Sequence, residues 1–149
     1  MNMEFRRKLP IPKEIKAMYP ISPEFERLRE QKDKEVKDIL SGQDDRLLLL
    51  VGPCSADNET AVLDYLTRLR KTADEAERVL IVPRVYTSKP RTTGIGYKGM
   101  LHQPDPEGNE DMLKGIIAIR ETYIRAMEET GFFCADELLY PENYRYLSD

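Results

Sequence analysis

The sequence contains no long hydrophobic run, few cysteines and no excess of positive charge. Its longest apolar run, Leu47–Val51, is far shorter than the ~20 residues of a membrane helix, so we expect no membrane partner. The basic N-terminus has no apolar segment behind it, which excludes a secretory signal. Two cysteines, Cys54 and Cys134, cannot build a disulfide framework, and a reducing, cytoplasmic location is the simpler expectation.

The charge balance argues against a nucleic-acid partner. The chain has 149 residues and a net charge of −4, from 23 Lys and Arg against 27 Asp and Glu. A nucleic-acid-binding domain usually carries a net positive charge or a basic stripe. The length fits one domain, or part of a larger one.

Residues 1–45 and 46–149 differ in texture, and we place a boundary between them. Prolines are frequent near the N-terminus, which predicts an extended arm rather than a packed element. Ser22 and Pro23 then suit the N-cap and first position of a helix, and Gly42 suits its end. The first segment is therefore predicted to be an arm plus one helix.

Residues 46–149 alternate between strand and helix patterns. The continuous apolar run at 47–51 is typical of a strand buried on both faces, the β-branched run at 79–86 predicts a second strand, and residues 132–135 predict a third. Apolar residues recur at helical spacing over 61–69 and 112–127. The order predicts an α/β fold with a parallel sheet and right-handed crossovers.

The second predicted strand leads into a cluster of cations. From Arg84 to Lys98 the chain contains Arg84, Lys89, Arg91 and Lys98 but no acid. Arginine offers a fork of donors to phosphate or carboxylate, and lysine offers a point charge. In parallel α/β folds, functional groups collect at the carboxyl ends of strands. The cluster is either an anion-binding site or a solvated charged loop, and its position after a strand favours anion binding.

Three other residues or motifs have a functional and a structural interpretation. Cys54 follows Gly-Pro at a strand end, where it is either a metal ligand or nucleophile or a small buried residue, and composition favours the second. Gly94–Gly99 matches G-x-G-x-x-G, but it neither follows a strand directly nor opens a helix, so we reject a dinucleotide site. His102 has no second histidine near it, which favours a loop-packing role.

Two motifs together resemble a known enzyme family. The runs Leu50-Val-Gly-Pro-Cys-Ser55 and Arg84-Val-Tyr-Thr-Ser-Lys-Pro-Arg-Thr-Thr93 are similar to those of class I 3-deoxy-D-arabino-heptulosonate 7-phosphate (DAHP) synthase. Lys89-Pro-Arg-Thr-Thr93 distinguishes it from the related octulosonate enzymes, which share Gly-Pro-Cys. The resemblance covers about residues 35–149. It implies an aldol-type condensation of phosphoenolpyruvate with erythrose 4-phosphate, at the start of the shikimate pathway to the aromatic amino acids.

The resemblance also implies roles for individual residues. Arg84 and Lys89 match residues that hold phosphoenolpyruvate, and we predict Lys89 as the catalytic residue. Arg91 and Thr92 match residues that hold erythrose 4-phosphate. Glu137 matches a carboxylate near the reacting centre, which we group with the substrate-binding residues. Both substrates are anionic, which accounts for cations without acids.

The resemblance further implies a divalent metal ion, such as Mn or Fe, with Cys54 as one ligand. The family's other ligands lie on later strands, and His102 matches none of them. A (β/α)₈ barrel takes ~250 residues, so we expect only its first three strands here, behind an N-terminal helical arm. The chain is therefore predicted to be a truncated, N-terminal portion that is inactive alone. The family implies a homo-oligomer. The alternative is a non-catalytic anion-binding or interaction module derived from the same family.

Overall fold

The computed structural model describes residues 7–91 and 93–149. Two strands, five α-helices and one short 3₁₀ helix make up the regular structure of this part of the chain. In chain order they are α1 (Pro12–Met18), α2 (Pro23–Leu40), β1 (Leu47–Val51), α3 (Glu59–Glu75), β2 (Val79–Pro83), α4 (Met112–Thr130), the 3₁₀ helix (Pro141–Asn143) and α5 (Tyr144–Leu147).

β1 and β2 form a parallel two-stranded sheet, as the sequence predicts. Leu47 pairs with Val79, and the register continues to Val51 opposite Pro83. The last ladder bond runs from the Arg84 N–H to the Val51 carbonyl (2.9 Å). Because β1 then leads into Gly-Pro, whose proline has no N–H, the ladder ends there. β2 is therefore shorter than the predicted run 79–86.

The predicted third strand is wrong in its extent, because residues 132–135 make one bridge and no strand. Ala135 pairs in parallel with Arg84. Its N–H donates to the Pro83 carbonyl (2.8 Å) and its carbonyl accepts from the Val85 N–H (2.9 Å). The next rung towards the N-terminus would need an N–H on Pro83, which proline lacks. The described residues thus give a mixed helix-and-strand fold with a two-stranded parallel sheet.

The extended N-terminal arm is also corrected, because residues 12–18 form α1. Pro12 occupies the first helical position, and the Glu14 carboxylate accepts a hydrogen bond from the Ile11 N–H (2.9 Å). These are start signals for a helix rather than breakers. Ile15 is fully buried, so α1 is packed into the molecule.

The helices α2, α3 and α4 agree with the predicted patterns. Ser22 caps α2 by accepting from the Phe25 N–H (3.3 Å), and Pro23 is its first residue. α4 ends at Gly131, whose φ of +69° lies in the left-handed region that favours glycine. None of the helices in the described residues is long and apolar enough to cross a membrane.

The core lies between α3 and α4 and the loop that precedes α4. Buried apolar side chains come from all three: Val62, Leu63, Leu66, Met100, Leu101, Ile116 and Ile119. Gly115 lets α4 approach that loop, because a Cβ there would lie 1.8 Å from the Leu101 carbonyl oxygen. β1 is outside this core, and Leu47 and Leu50 remain 63% and 51% exposed.

Candidate active site

The loops after β1 and β2 meet because Gly52 has no side chain. A Cβ on Gly52 would lie 2.1 Å from the Arg84 carbonyl oxygen. The Arg84 guanidinium donates to the carbonyls of Gly52 (3.2 Å) and Pro53 (3.2 and 3.3 Å) and lies over the Tyr86 ring, 4.6 Å from its centre. Arg84 is therefore held rigidly between the two strand ends.

Lys89 and Cys54 are brought into direct contact, although 35 positions separate them in sequence. The Lys89 ammonium donates to the Cys54 sulfur at 2.6 Å. That hydrogen bond and the charge of Lys89 lower the pKa of the exposed Cys54 thiol, and Arg84 and Arg91 add smaller effects in the same direction. The exposure of Cys54 contradicts the interpretation of a small buried residue, and its lowered pKa increases the share of thiolate.

Arg91 is anchored at one end and exposed at the other. Its Nε–H donates to the Tyr97 carbonyl (2.8 Å). Tyr97 is itself fixed, because its hydroxyl donates to the Ala56 carbonyl (3.2 Å) in the loop after β1. Burial raises the pKa of Tyr97 to about 12, so this phenol keeps its proton. The Arg91 side chain is left exposed beside Lys89.

The fourth predicted cation differs from the other three. Lys98 forms an ion pair with Glu110 (2.5 Å), which lowers the pKa of the Glu110 carboxyl. Because Glu110 lies 12 positions further along the chain, the acid-free stretch of sequence did not reveal this partner. Within the described residues, Arg84, Lys89 and Arg91 have no carboxylate partner.

A cleft of about 350 Å³ opens beside these cations. Lys89 and Arg91 line it on one side. His102 and Tyr140 lie on another side and pack edge to face, with ring centres 5.6 Å apart. His102 thus has the loop-packing role that the sequence favours. The Lys98–Glu110 ion pair also lines the cleft, so Lys89 and Arg91 supply its unbalanced positive charge, which suits a small anionic ligand.

One predicted site residue is not joined to this cluster, and another lies outside the described residues. The Glu137 side chain is exposed and its carboxylate makes no hydrogen bond or ion pair with a described residue. Thr92 lies outside the described residues. The part of the chain that the structure describes also holds no group of three or more His, Cys, Asp or Glu able to bind a metal ion, so Cys54 is isolated as a candidate ligand.

Comparison with known proteins identifies the family. The model of the DAHP synthetase I family matches residues 18–149. The chain belongs to the DAHP synthetase I family. It is 34% identical over 139 residues to the Tyr-sensitive phospho-2-dehydro-3-deoxyheptonate aldolase of Escherichia coli. That alignment covers 93% of this chain and 38% of the other protein. It is 37% identical over 132 residues to the phenylalanine-inhibited phospho-2-dehydro-3-deoxyheptonate aldolase of Saccharomyces cerevisiae, with 88% and 35% covered.

A solved member of the family has the same fold over the shared part. The phospho-2-dehydro-3-deoxyheptonate aldolase of Francisella tularensis superposes with a TM-score of 0.90 at 29% identity, covering 99% of this chain and 43% of the other. The chain spans about a third of the length of the curated relatives it matches. The resemblance stated from the motifs is therefore confirmed, for a segment of the family's length.

Sequence reasoning assigned no role to Asp136, which lies beside this candidate site. Its carboxylate accepts hydrogen bonds from the Thr87 backbone and hydroxyl in the loop after β2. The available signal was an acid directly after the third apolar run. Its partner could not be identified before the parallel pairing of Ala135 with Arg84 was known.

The lowered pKa of Cys54 predicts how fast its thiol is alkylated at different pH values. A lowered pKa means that more thiolate is present at pH values below the usual pKa of a thiol. The rate at which iodoacetamide alkylates Cys54 should therefore rise with pH around a midpoint below that of a free cysteine. Lys89→Met should move the midpoint upwards. Cys134 is the internal control, since burial raises its pKa to about 12. Mass spectrometry of the alkylated peptides gives both rates, and an unchanged Cys54 midpoint in Lys89→Met would contradict the contact.

Proposed function

We propose that this chain carries the N-terminal part of a DAHP synthase, which condenses phosphoenolpyruvate with erythrose 4-phosphate in an aldol-type reaction and releases phosphate. The observation that carries the proposal is the convergence of Arg84, Lys89 and Arg91 at the ends of β1 and β2 without a carboxylate partner among the described residues. Both substrates are anions, and a cationic strand-end site attracts them. The family and the names of its curated relatives support the reaction.

The contacts suggest a division of labour among the cations. Arg84 is held by two carbonyls through its Nε and one of its Nη atoms, so its remaining N–H groups would be oriented towards one anionic group of phosphoenolpyruvate. Lys89 would touch the same substrate from the cleft and is the proposed catalytic residue. The free end of Arg91, together with Thr92, would hold the phosphate of erythrose 4-phosphate, and Glu137 would lie near the reacting centre. The carbon nucleophile comes from phosphoenolpyruvate, so the protein needs no nucleophile of its own.

Cys54 fits as one ligand of a divalent metal ion such as Mn or Fe. Thiolate is the ligating form of cysteine, and Lys89 favours that form. The other ligands would come from outside the described residues, which hold no cluster of three ligating side chains. When bound, the metal would act as a Lewis acid on the aldehyde of erythrose 4-phosphate.

The exposed leucines on both faces of β1 support a further part of the proposal, that these elements begin a (β/α)₈ barrel. Leu47 and Leu50 are more than half exposed, although strands of parallel sheets are normally covered. Ala135 pairs in parallel with Arg84, on the side of β2 away from β1. In a closed barrel the interior would cover the leucines of one face and the outer ring of helices those of the other.

Joining the chain to the remaining two-thirds of a DAHP synthase tests the proposed function. We expect consumption of phosphoenolpyruvate only when erythrose 4-phosphate is also present. The loss of phosphoenolpyruvate absorbance measures this consumption. The controls are the 149-residue chain without the C-terminal part, and the C-terminal part without this chain. Each should be inactive. Consumption without erythrose 4-phosphate, or none in the joined protein when it folds, would contradict the proposal.

A further inference from the structure

The Asp136 carboxylate accepts two hydrogen bonds from Thr87, a residue of the loop after β2. Its Oδ1 accepts from the backbone N–H groups of Thr87 (3.0 Å) and Glu137 (2.7 Å), and its Oδ2 accepts from the Thr87 hydroxyl (2.5 Å). Thr87 is only 3% exposed. Hydrogen bonds to a carboxylate are shorter and stronger than neutral ones. Asp136 therefore holds Thr87 by its backbone and its side chain together.

Thr87 lies two positions before Lys89, and the chain between them has little room to move. The Thr87 carbonyl accepts from the Leu101 N–H (3.1 Å), and the Lys89 N–H donates to the Lys98 carbonyl (3.1 Å). Gly99, with φ +95°, packs against the same segment, since a Cβ there would lie 2.6 Å from both Thr87 O and Lys89 N. One side of the segment is thus closed by the loop before α4, and Asp136 closes the other.

The contacts of Asp136 with Thr87 differ from those that hold the strand ends together. The bridge of Ala135 with β2 uses backbone groups only. The Tyr123 hydroxyl fastens Val85 by donating to its carbonyl (2.8 Å), and it also lies close to the Asp136 carboxylate. Asp136 is not among the side chains that line the cleft beside Lys89. It reaches Lys89 through Thr87, and its bond to the Glu137 N–H reaches the segment that leads to Leu139 and Tyr140 in the wall of the cleft.

We propose that Asp136 is a positioning residue for Lys89. By holding Thr87 it sets the direction of the segment that carries Lys89, and so it keeps the Lys89 ammonium beside Cys54 and at the edge of the cleft. For the ligand that Lys89 meets, the inference rests on the proposed function. The orientation of the segment is a property of this chain and is measurable without that ligand.

The test combines variants of the Asp136–Thr87 contact with two measurements. Asp136→Ala removes the contact, Asp136→Asn retains one acceptor, and Thr87→Val removes only the hydroxyl. Calorimetry measures the affinity for phosphoenolpyruvate, and hydrogen exchange followed by NMR measures the protection of individual amides. Asp64→Ala is the matched control, because Asp64 is an exposed carboxylate on α3 that pairs only with Arg68 among the described residues.

For Asp136→Ala we expect about tenfold weaker binding of phosphoenolpyruvate, which corresponds to one lost charge-assisted contact. We also expect at least about tenfold faster exchange at Ser88 and Lys89, with the α3 amides unchanged. Asp136→Asn should retain most of the affinity for phosphoenolpyruvate and most of the amide protection at Ser88 and Lys89. Thr87→Val should cost less in the Asp136→Ala background than alone, because the two residues share one interaction.

Two results would overturn the inference: unchanged protection of Ser88 and Lys89 in Asp136→Ala, or faster exchange throughout the chain, which would show a general structural role. Failure of the proposed function is distinguishable from both. If the unaltered chain does not bind phosphoenolpyruvate, the proposed ligand is wrong, and the exchange of Ser88 and Lys89 alone decides whether Asp136 positions the segment.

Discussion

Replacing Lys89 with alanine is expected to weaken the binding of phosphoenolpyruvate to the chain about ten- to hundredfold. A hydrogen bond to a charged group contributes about 1.5–3 kcal/mol, and each 1.4 kcal/mol is about a factor of ten in affinity. Lys89 should have the largest effect of the three unpaired cations. The Arg84 guanidinium is already bound to the carbonyls of Gly52 and Pro53, whereas the Lys89 ammonium contacts only the Cys54 sulfur among described groups.

Calorimetric titration with phosphoenolpyruvate measures this prediction. Lys71→Ala is the matched control, because Lys71 is an exposed lysine on α3, away from the strand ends, and its loss changes the net charge equally. Lys89→Arg keeps the charge and should retain part of the affinity. Equal weakening by Lys71→Ala and Lys89→Ala would show that net charge alone attracts the ligand, and would contradict a site at Lys89.

Gly115→Ala is expected to destabilise the fold by about 2–3 kcal/mol. In a helix interior alanine is normally more favourable than glycine by about 1 kcal/mol. The expected change in the free energy of unfolding therefore has the opposite sign to the difference in helix propensity. The reason is steric: a Cβ at this position would lie 1.8 Å from the Leu101 carbonyl oxygen and 2.8 Å from that of Met100. These are backbone atoms, and the Leu101 N–H is bonded to the Thr87 carbonyl, so the loop cannot simply retreat. Overpacking of this kind costs typically 1–3 kcal/mol and occasionally more.

Urea unfolding followed by circular dichroism measures the free energy of unfolding of this variant. Gly108→Ala is the control, since its Cβ would meet only the Asp105 side chain, at 3.0–3.2 Å, which can move. Because Leu101 is bonded to Thr87, Gly115→Ala should also disturb the segment that carries Lys89. A Gly115→Ala chain as stable as the unaltered one would contradict the close approach of α4 to this loop.

The helices α2, α3 and α4 and the first strand could be predicted because their signals are local. Ser22 and Pro23 start α2, and Gly131 ends α4, through contacts within a few residues of chain. The extent of the third strand could not be predicted from its own residues. Its pairing stops at one bridge because the next hydrogen bond would need a backbone N–H on Pro83 of the neighbouring strand, which proline lacks. α1 was missed because Pro12, which starts it, was interpreted as a breaker.

The candidate site shows the same division. The meeting of Cys54 with Lys89 follows from the parallel strands, since both residues come after strand ends on one edge of the sheet. The neutralisation of Lys98 by Glu110 and the grip of Asp136 on Thr87 depend on how loops fold back. Neither contact has a periodicity or a motif that a single sequence displays.

The most direct test of the central claim is the rate of phosphoenolpyruvate consumption by this chain joined to the remainder of a DAHP synthase, with the Lys89→Ala and Cys54→Ala variants measured beside it. We predict consumption that requires erythrose 4-phosphate and a divalent metal ion. We also predict that each variant lowers kcat/KM by at least about a hundredfold, as expected when a charged or ligating group at the reacting centre is removed. Equal rates in all three proteins would contradict the assignment of the site to these strand ends.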